Sequence, residues 1–178
     1  MRNWGRVVAV LAVAACSSSA PSTQPITGQN VGLLASEASE EAPAIVYNTQ
    51  LRSDIEVPAC ETESQGLAQI KIFQDGRIQS LVILNNKGDE SVRFGHIHHL
   101  AQGATTGPVI WWLSSPVGTD LNLTDRHIDI RQDGIFGANP HFASEAAALA
   151  ELLSNPSSFY VNFHSDHCPG GIARGFLP

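Results

Sequence analysis

The chain carries seven histidines, and the densest group is Phe94-Gly95-His96-Ile97-His98-His99. In a β-strand, residues two apart share a face with their Cβ atoms about 6.6 Å apart, from a rise of about 3.3 Å per residue. Two imidazoles so placed, His96 and His98, can converge on one ion, since a metal-to-nitrogen bond is about 2.0 to 2.1 Å. A second group lies near the far end of the chain, Phe159-Tyr160-Val161-Asn162-Phe163-His164. There Phe159, Val161 and Phe163 read as inward-facing, and Tyr160, Asn162 and His164 share the opposite face. Three imidazoles brought together suit copper or zinc. The competing reading is a structural cluster in which half-buried histidines donate to backbone carbonyls and hold no ion.

The phase of the first group needs resolving, because strict alternation from Val92 and Phe94 would turn His96 and His98 into the core. Gly95 offers a way out. A β-bulge at that glycine would shift the phase by one, put Ile97 in the core, and place both histidines on the face that His164 uses. His99 would then point away from the pair. His167 follows His164 by three residues in a turn and is a candidate fourth ligand. His127 alternates with Asp129 and Arg131 opposite Ile128 and Ile130, which makes it an exposed residue, and His141 precedes a helix in a loop.

The elements that must position these groups are short apolar runs bounded by turn residues, the pattern of an all-β sandwich or barrel. Strands are expected at Ile45 to Leu51, Leu67 to Phe73, Ile78 to Leu84, Val92 to His98, Pro108 to Leu113, His127 to Ile130, Phe159 to His164 and Gly171 to Leu177. Asp75-Gly76 between the second and third signals a tight hairpin, which needs positive φ, so antiparallel pairing is expected. Ser144 to Leu153 is rich in helix formers, with Ser144 as N-cap, Asn155-Pro156 as stop, and Leu149, Leu152 and Leu153 on one stripe. Trp111 and Trp112 should straddle the two faces of their strand.

Other chemistries lack their signatures. No Ser-His-Asp order, glycine-rich phosphate loop or paired-carboxylate motif stands out, and Asp125, Asp129 and Asp133 read as a solvated stripe. The chain has 178 residues, 10 Lys and Arg against 17 Asp and Glu, and a net charge of −7. That balance argues against nucleic acid, whose binding needs cations to displace counterions from phosphates.

Arg2 and Arg6 precede the apolar run from Val7 to Ala15, which is too short for a spanning helix of about 20 residues and reads as a signal peptide over residues 1–15. Val13-Ala14-Ala15-Cys16 resembles the bacterial lipobox, which implies a diacylglyceryl group on Cys16. Cleavage there removes fifteen residues and two arginines, leaving 163 residues at net −9. Residues 16–43, rich in Ser, Thr, Pro, Gly and Gln, read as a flexible tether, and residues 44–178 as the folded domain. The expected location is the cell envelope, on the outer membrane or the cell surface, with the lipid supplying the membrane affinity that an acidic surface lacks.

Four blocks in order are similar to the chordin-type CHRD domain: Leu51 with Ile55-Glu56-Val57-Pro58 and Gly66; Gly95-His96-Ile97-His98 with Gly107-Pro108-Val109; Tyr160 to His164; and Pro169-Gly170-Gly171-Ile172-Ala173-Arg174-Gly175. The resemblance covers about Ile45 to Leu177. It implies a Greek-key antiparallel β-sandwich resembling the copper/zinc superoxide dismutase fold, with a cluster of His96, His98 and His164, and with Asn162 and Arg174 in support. The sequence departs from the family pattern at Cys60, Ser165 and Ala173, where the family tends to have Pro, Thr and Glu. In animal chordin such domains belong to an extracellular antagonist of growth factors, and in bacteria the domain occurs in exported proteins.

Cys60 and Cys168 are the cysteines left once Cys16 is lipidated, and in an oxidising compartment they are expected to pair. Two reduced thiols, or Cys168 as a soft ligand beside His164 and His167, are the alternatives. Three functions compete: a copper- or zinc-binding module, a metal-free module that docks an envelope protein or cell-wall component, and an enzyme resembling superoxide dismutase. The enzyme would need a bridging histidine and a zinc loop of closely spaced ligands, whereas His98 to His164 holds only His99, His127 and His141. The expectation is therefore a lipid-anchored β-sandwich that binds a transition metal and turns over no substrate.

Overall fold

The structure, a computed structural model, describes residues 42–87, 90–113, 120–135 and 141–178. The expected signal peptide, Cys16 and nearly all of the expected tether lie outside the described residues.

Eight strands form one antiparallel sheet: β1 (Ile45–Arg52), β2 (Gln65–Ile72), β3 (Arg77–Asn85), β4 (Val92–His99), β5 (Val109–Trp112), β6 (His127–Ile135), β7 (Phe159–Ser165) and β8 (Ala173–Phe176). Their order is β5-β4-β7-β8-β1-β2-β3-β6. The halves β5-β4-β7-β8 and β1-β2-β3-β6 meet at the β1–β8 pair, where Arg52 stands opposite Arg174. The sheet curls there. Residues of both halves, among them Ile70, Ile78, Val82, Ile97, Val161 and Phe163, fill a common core, and the Trp111 ring of β5 lies against Gly134 of β6.

Local chemistry explains the pieces. Gly76 takes φ 83°, the left-handed region in which a side chain would be strained, and Asp75 Oδ1 accepts the Arg77 N–H at 3.0 Å. These close the β2–β3 hairpin. β6 continues five residues beyond the expected Ile130 because its polar residues Arg131 to Asp133 need no core, only backbone pairing with β3 out to Arg77–Ile135. The helix α1 (Glu145–Ser154) starts where expected, with Ser144 Oγ accepting the Ala147 N–H at 3.1 Å. Its buried face is Ala148 and Leu152 with Leu149 beside them, while Leu153 points to solvent. The expected stripe is thus rotated by about one residue.

Cys60 and Cys168 form a disulfide with their Cα atoms 5.9 Å apart. It ties the segment after β1 to the turn between β7 and β8, with Cys168 buried in the core and Cys60 packed against it, and it removes both sulfurs from metal ligation.

Candidate metal centre

β4 and β7 are neighbours, and their register sets Phe94 opposite His164, His96 opposite Asn162, and His98 opposite Tyr160. Phe94, His96 and His98 therefore share the outer face with His164, while Ile97 lies in the core. The phase shift expected at Gly95 exists, but it sits earlier. Val92 pairs with Ser165 and Phe94 with His164, so Arg93 is the extra, unpaired residue. Gly95 has another duty: a Cβ there would overlap the Phe163 ring.

The three imidazoles meet. Their ring centroids are 5.0 Å (His96–His164), 5.4 Å (His96–His98) and 5.7 Å (His98–His164) apart, and one nitrogen from each lies within 4.8 Å of the others. To share one ion the three nitrogens would have to close further, to bonds of about 2.0 to 2.1 Å. Nδ1–H of His98 donates to the Gly107 carbonyl at 2.9 Å, and Nδ1–H of His164 donates to the Pro169 carbonyl at 2.9 Å. A carbonyl only accepts, so each bond fixes the tautomer and leaves a bare lone pair on Nε2. Those two Nε2 atoms, and both nitrogens of His96, are buried with no hydrogen-bond partner. Unpartnered buried nitrogens are costly. The donor set fits a copper or zinc ion, which would satisfy one lone pair on each ring.

The family model of the CHRD domain matches residues 47–177. The chain belongs to the CHRD domain family. No curated protein and no solved structure matches it.

In this CHRD domain the histidines are also kept uncharged. Desolvation first, then the neighbouring histidines, pushes His96 down to about 3. Burial likewise lowers His98 to about 4, against the opposing pull of its bond to Gly107, and it lowers His164. Neutral imidazole is the form that binds metal.

Support comes from Arg174, which is 1% exposed. Its Nε donates to Glu56 Oε2 at 2.7 Å, and its two terminal nitrogens donate to Val57 O at 2.9 Å and Thr105 O at 3.1 Å. It thereby fastens the segments after β1 and β4 over the outer face. Its guanidinium lies 4.8 Å from the Tyr160 ring centroid, and Tyr160 in turn stacks on His98 at 4.8 Å with 8° between planes. Asn162 donates to the Gly170 carbonyl at 3.4 Å, holding the same turn that carries Pro169. Ser165 donates to Glu90 at 2.5 Å and accepts the Cys168 N–H at 2.9 Å.

The remaining histidines stand elsewhere. His167 is exposed and sits beside the Cys60–Cys168 disulfide, not with the trio. His99 contacts Phe142 and Phe159, and His127 and His141 are exposed. Trp111 is in the core and Trp112 packs its ring edge-on against His96 at 4.3 Å, so the pair does straddle the strand. Sequence reasoning gave no role to Glu56, Gly107, Pro169 or Tyr160 beyond their place in the family blocks, and that block membership was the available signal. A cavity of about 380 Å³ opens in front of the cluster, walled by Phe94, Val109 and Pro169 with Arg93 at its rim.

Proposed function

We propose that this CHRD-domain protein is an exported, lipid-anchored module that binds one copper or zinc ion through His96, His98 and His164 and turns over no substrate. The observation that carries the reading is the pair of Nδ1-to-carbonyl bonds, which leave Nε2 of His98 and His164 bare and buried on rings whose centroids lie 5.4 and 5.0 Å from that of His96. A purely structural cluster would be expected to satisfy those nitrogens. The lipobox-like Val13 to Cys16 supports an envelope location on the outer membrane or cell surface, and the Cys60–Cys168 disulfide fits an oxidising compartment.

The test is anaerobic titration of the full chain in detergent with Cu(I), Cu(II) and Zn(II), beside the His96→Ala/His98→Ala variant. One ion per chain in the parent and none in the variant is expected. Equal stoichiometry in the two overturns the three-histidine site, and so does a parent that binds no ion. Replacing Cys16 with Ser tests the anchor, and the protein should move from the membrane to the soluble fraction.

A further inference from the structure

We infer that an ion held by His96, His98 and His164 keeps one coordination position facing the cavity, and that this position takes a small monoanion from solution. The inference rests on the metal reading above and extends it to a ligand.

The first ground is the donor count. Among the described residues the group holds three imidazoles, and no carboxylate or thiolate atom joins them. Zinc and copper with three protein nitrogens take further ligands from water or solutes, whereas structural sites close with four protein ligands. The fourth ligand must therefore come from outside the described cluster, and the cavity lies in its path.

The second ground is space. The cavity of about 380 Å³ is lined by all three histidines and opens to solvent. One water occupies about 30 Å³ in the liquid, so there is room for a ligand of several atoms. Phe94, Val109 and Pro169 form walls that offer no competing side-chain donor. Behind the cluster access is blocked, by Tyr160 stacked on His98 and Trp112 against His96.

The third ground is charge. Neutral imidazoles cancel none of the ion's charge, so an anion completes the site better than a neutral ligand. Arg93 stands at the rim. Its terminal nitrogens are committed to Asp120 and Asp166, which fixes the guanidinium in place, but its Nε is buried with no acceptor. An anion in the cavity could supply one. Asp166 also lines the cavity and shares Arg93 with Asp120, so the rim alone is not cationic and the attraction for an anion comes chiefly from the ion.

The probe is azide, titrated into the full chain loaded with Cu(II) in detergent and read by the azide-to-copper absorption band and by electron paramagnetic resonance. One azide per copper with saturation is expected. Arg93→Gln should weaken azide about three- to fivefold, the effect of losing one partly exposed cation, and Val109→Trp should fill the cavity and abolish the band. Both variants should still bind one copper. A parent that holds one copper but whose spectra ignore azide overturns this inference and leaves the metal reading standing. A parent that binds no copper overturns both, and the stoichiometry tells the two failures apart. An unchanged azide affinity in Arg93→Gln removes Arg93 from the site.

Discussion

The carbonyl oxygen of Gly107 lies 2.9 Å from Nδ1 of His98. The N–H of the same glycine donates to the Tyr160 hydroxyl at 3.2 Å, and Tyr160 stacks on that histidine. One peptide segment thus sets the tautomer of His98 and also holds the ring it leans on. Gly107 can reach this position because it has no side chain: a Cβ there would overlap the backbone of His99.

Gly107→Ala should therefore displace the carbonyl and free His98 to change tautomer. Loss of a partner that orients a ligand typically costs 10- to 100-fold in metal affinity, and the same range is expected here. Competition titration against a chelator of known affinity measures it. Affinity equal to the parent would mean that the segment does not orient the ligand.

The Glu56–Arg174 pair is buried on both sides. Removing one partner of such a pair costs about 3 to 5 kcal/mol, and Arg174→Met also strips the Val57 and Thr105 carbonyls of their donor. Burial pushes the Glu56 carboxyl up to about 7 against the pull of Arg174, and without Arg174 only the backbone bond at Val57 opposes the rise. A raised carboxyl is stabilising below its unfolded value and loses that contribution as pH rises through the folded one. Arg174→Met should consequently lose more stability at pH 8 than at pH 6, by urea denaturation, and adding Glu56→Gln should recover part of the loss.

Acid should destabilise the metal-free protein through the site itself. The unfolded histidines take protons near 6.5, whereas folded His96 and His98 wait until about 3 and about 4. Their contribution is complete above pH 6.5 and drains away as pH falls toward the folded values. At pH 5 each should have lost about 2 kcal/mol. Urea midpoints at pH 7.5 and pH 5 measure this, and the His96→Ala/His98→Ala variant should show a flatter profile.

Opening the disulfide should affect both stability and the site. Cys60 and Cys168 are 108 residues apart, and closing a loop of about 100 residues contributes up to about 4.7 kcal/mol by the chain-entropy model. Cys168 also precedes Pro169, whose carbonyl orients His164. The Cys60→Ser/Cys168→Ser variant should unfold at lower urea and hold metal less tightly. A drop in stability with unchanged affinity would show that the turn keeps its shape without the bond.

Much of this was legible from residue types. Alternation in Phe159 to His164 assigned the faces of β7 correctly, since both faces of that strand are covered and each side chain still takes its own side. The common face of His96 and His98 could also be read, because Ile97 had to be inside. The position of the phase shift could not. Arg93 carries no bulge signal of its own; the start of β4 is fixed from its far side, where Val92 and Leu123 exchange hydrogen bonds at 2.8 and 3.0 Å and Leu121 donates to the Arg93 carbonyl at 2.7 Å. Such pairing is set by residues distant in sequence. The carbonyls of Gly107 and Pro169 were invisible for a related reason: a backbone oxygen is the same atom whatever the residue, and only the folded path of the chain aims it. Leu153 misled because helical spacing gives a stripe, while its rotation is settled by what the helix packs on.

The unpaired Arg93 divides β4 into a place where a lost residue is absorbed and a paired stretch where it is not. Deleting the Arg93 codon would leave Val92 opposite Ser165 and Phe94 opposite His164 and keep both imidazoles outward, whereas deleting the Gly95 codon would turn the rest of β4 over, sending both imidazoles into the core and Ile97 out to the surface. Every ligand would still be present in the gene, and the binding site would be gone. The same arithmetic runs in reverse for descent. A lineage whose strand carried His-x-His one residue out of phase within the paired stretch would gain the outward pair by one insertion, a kind of change that tables of substitutions do not record.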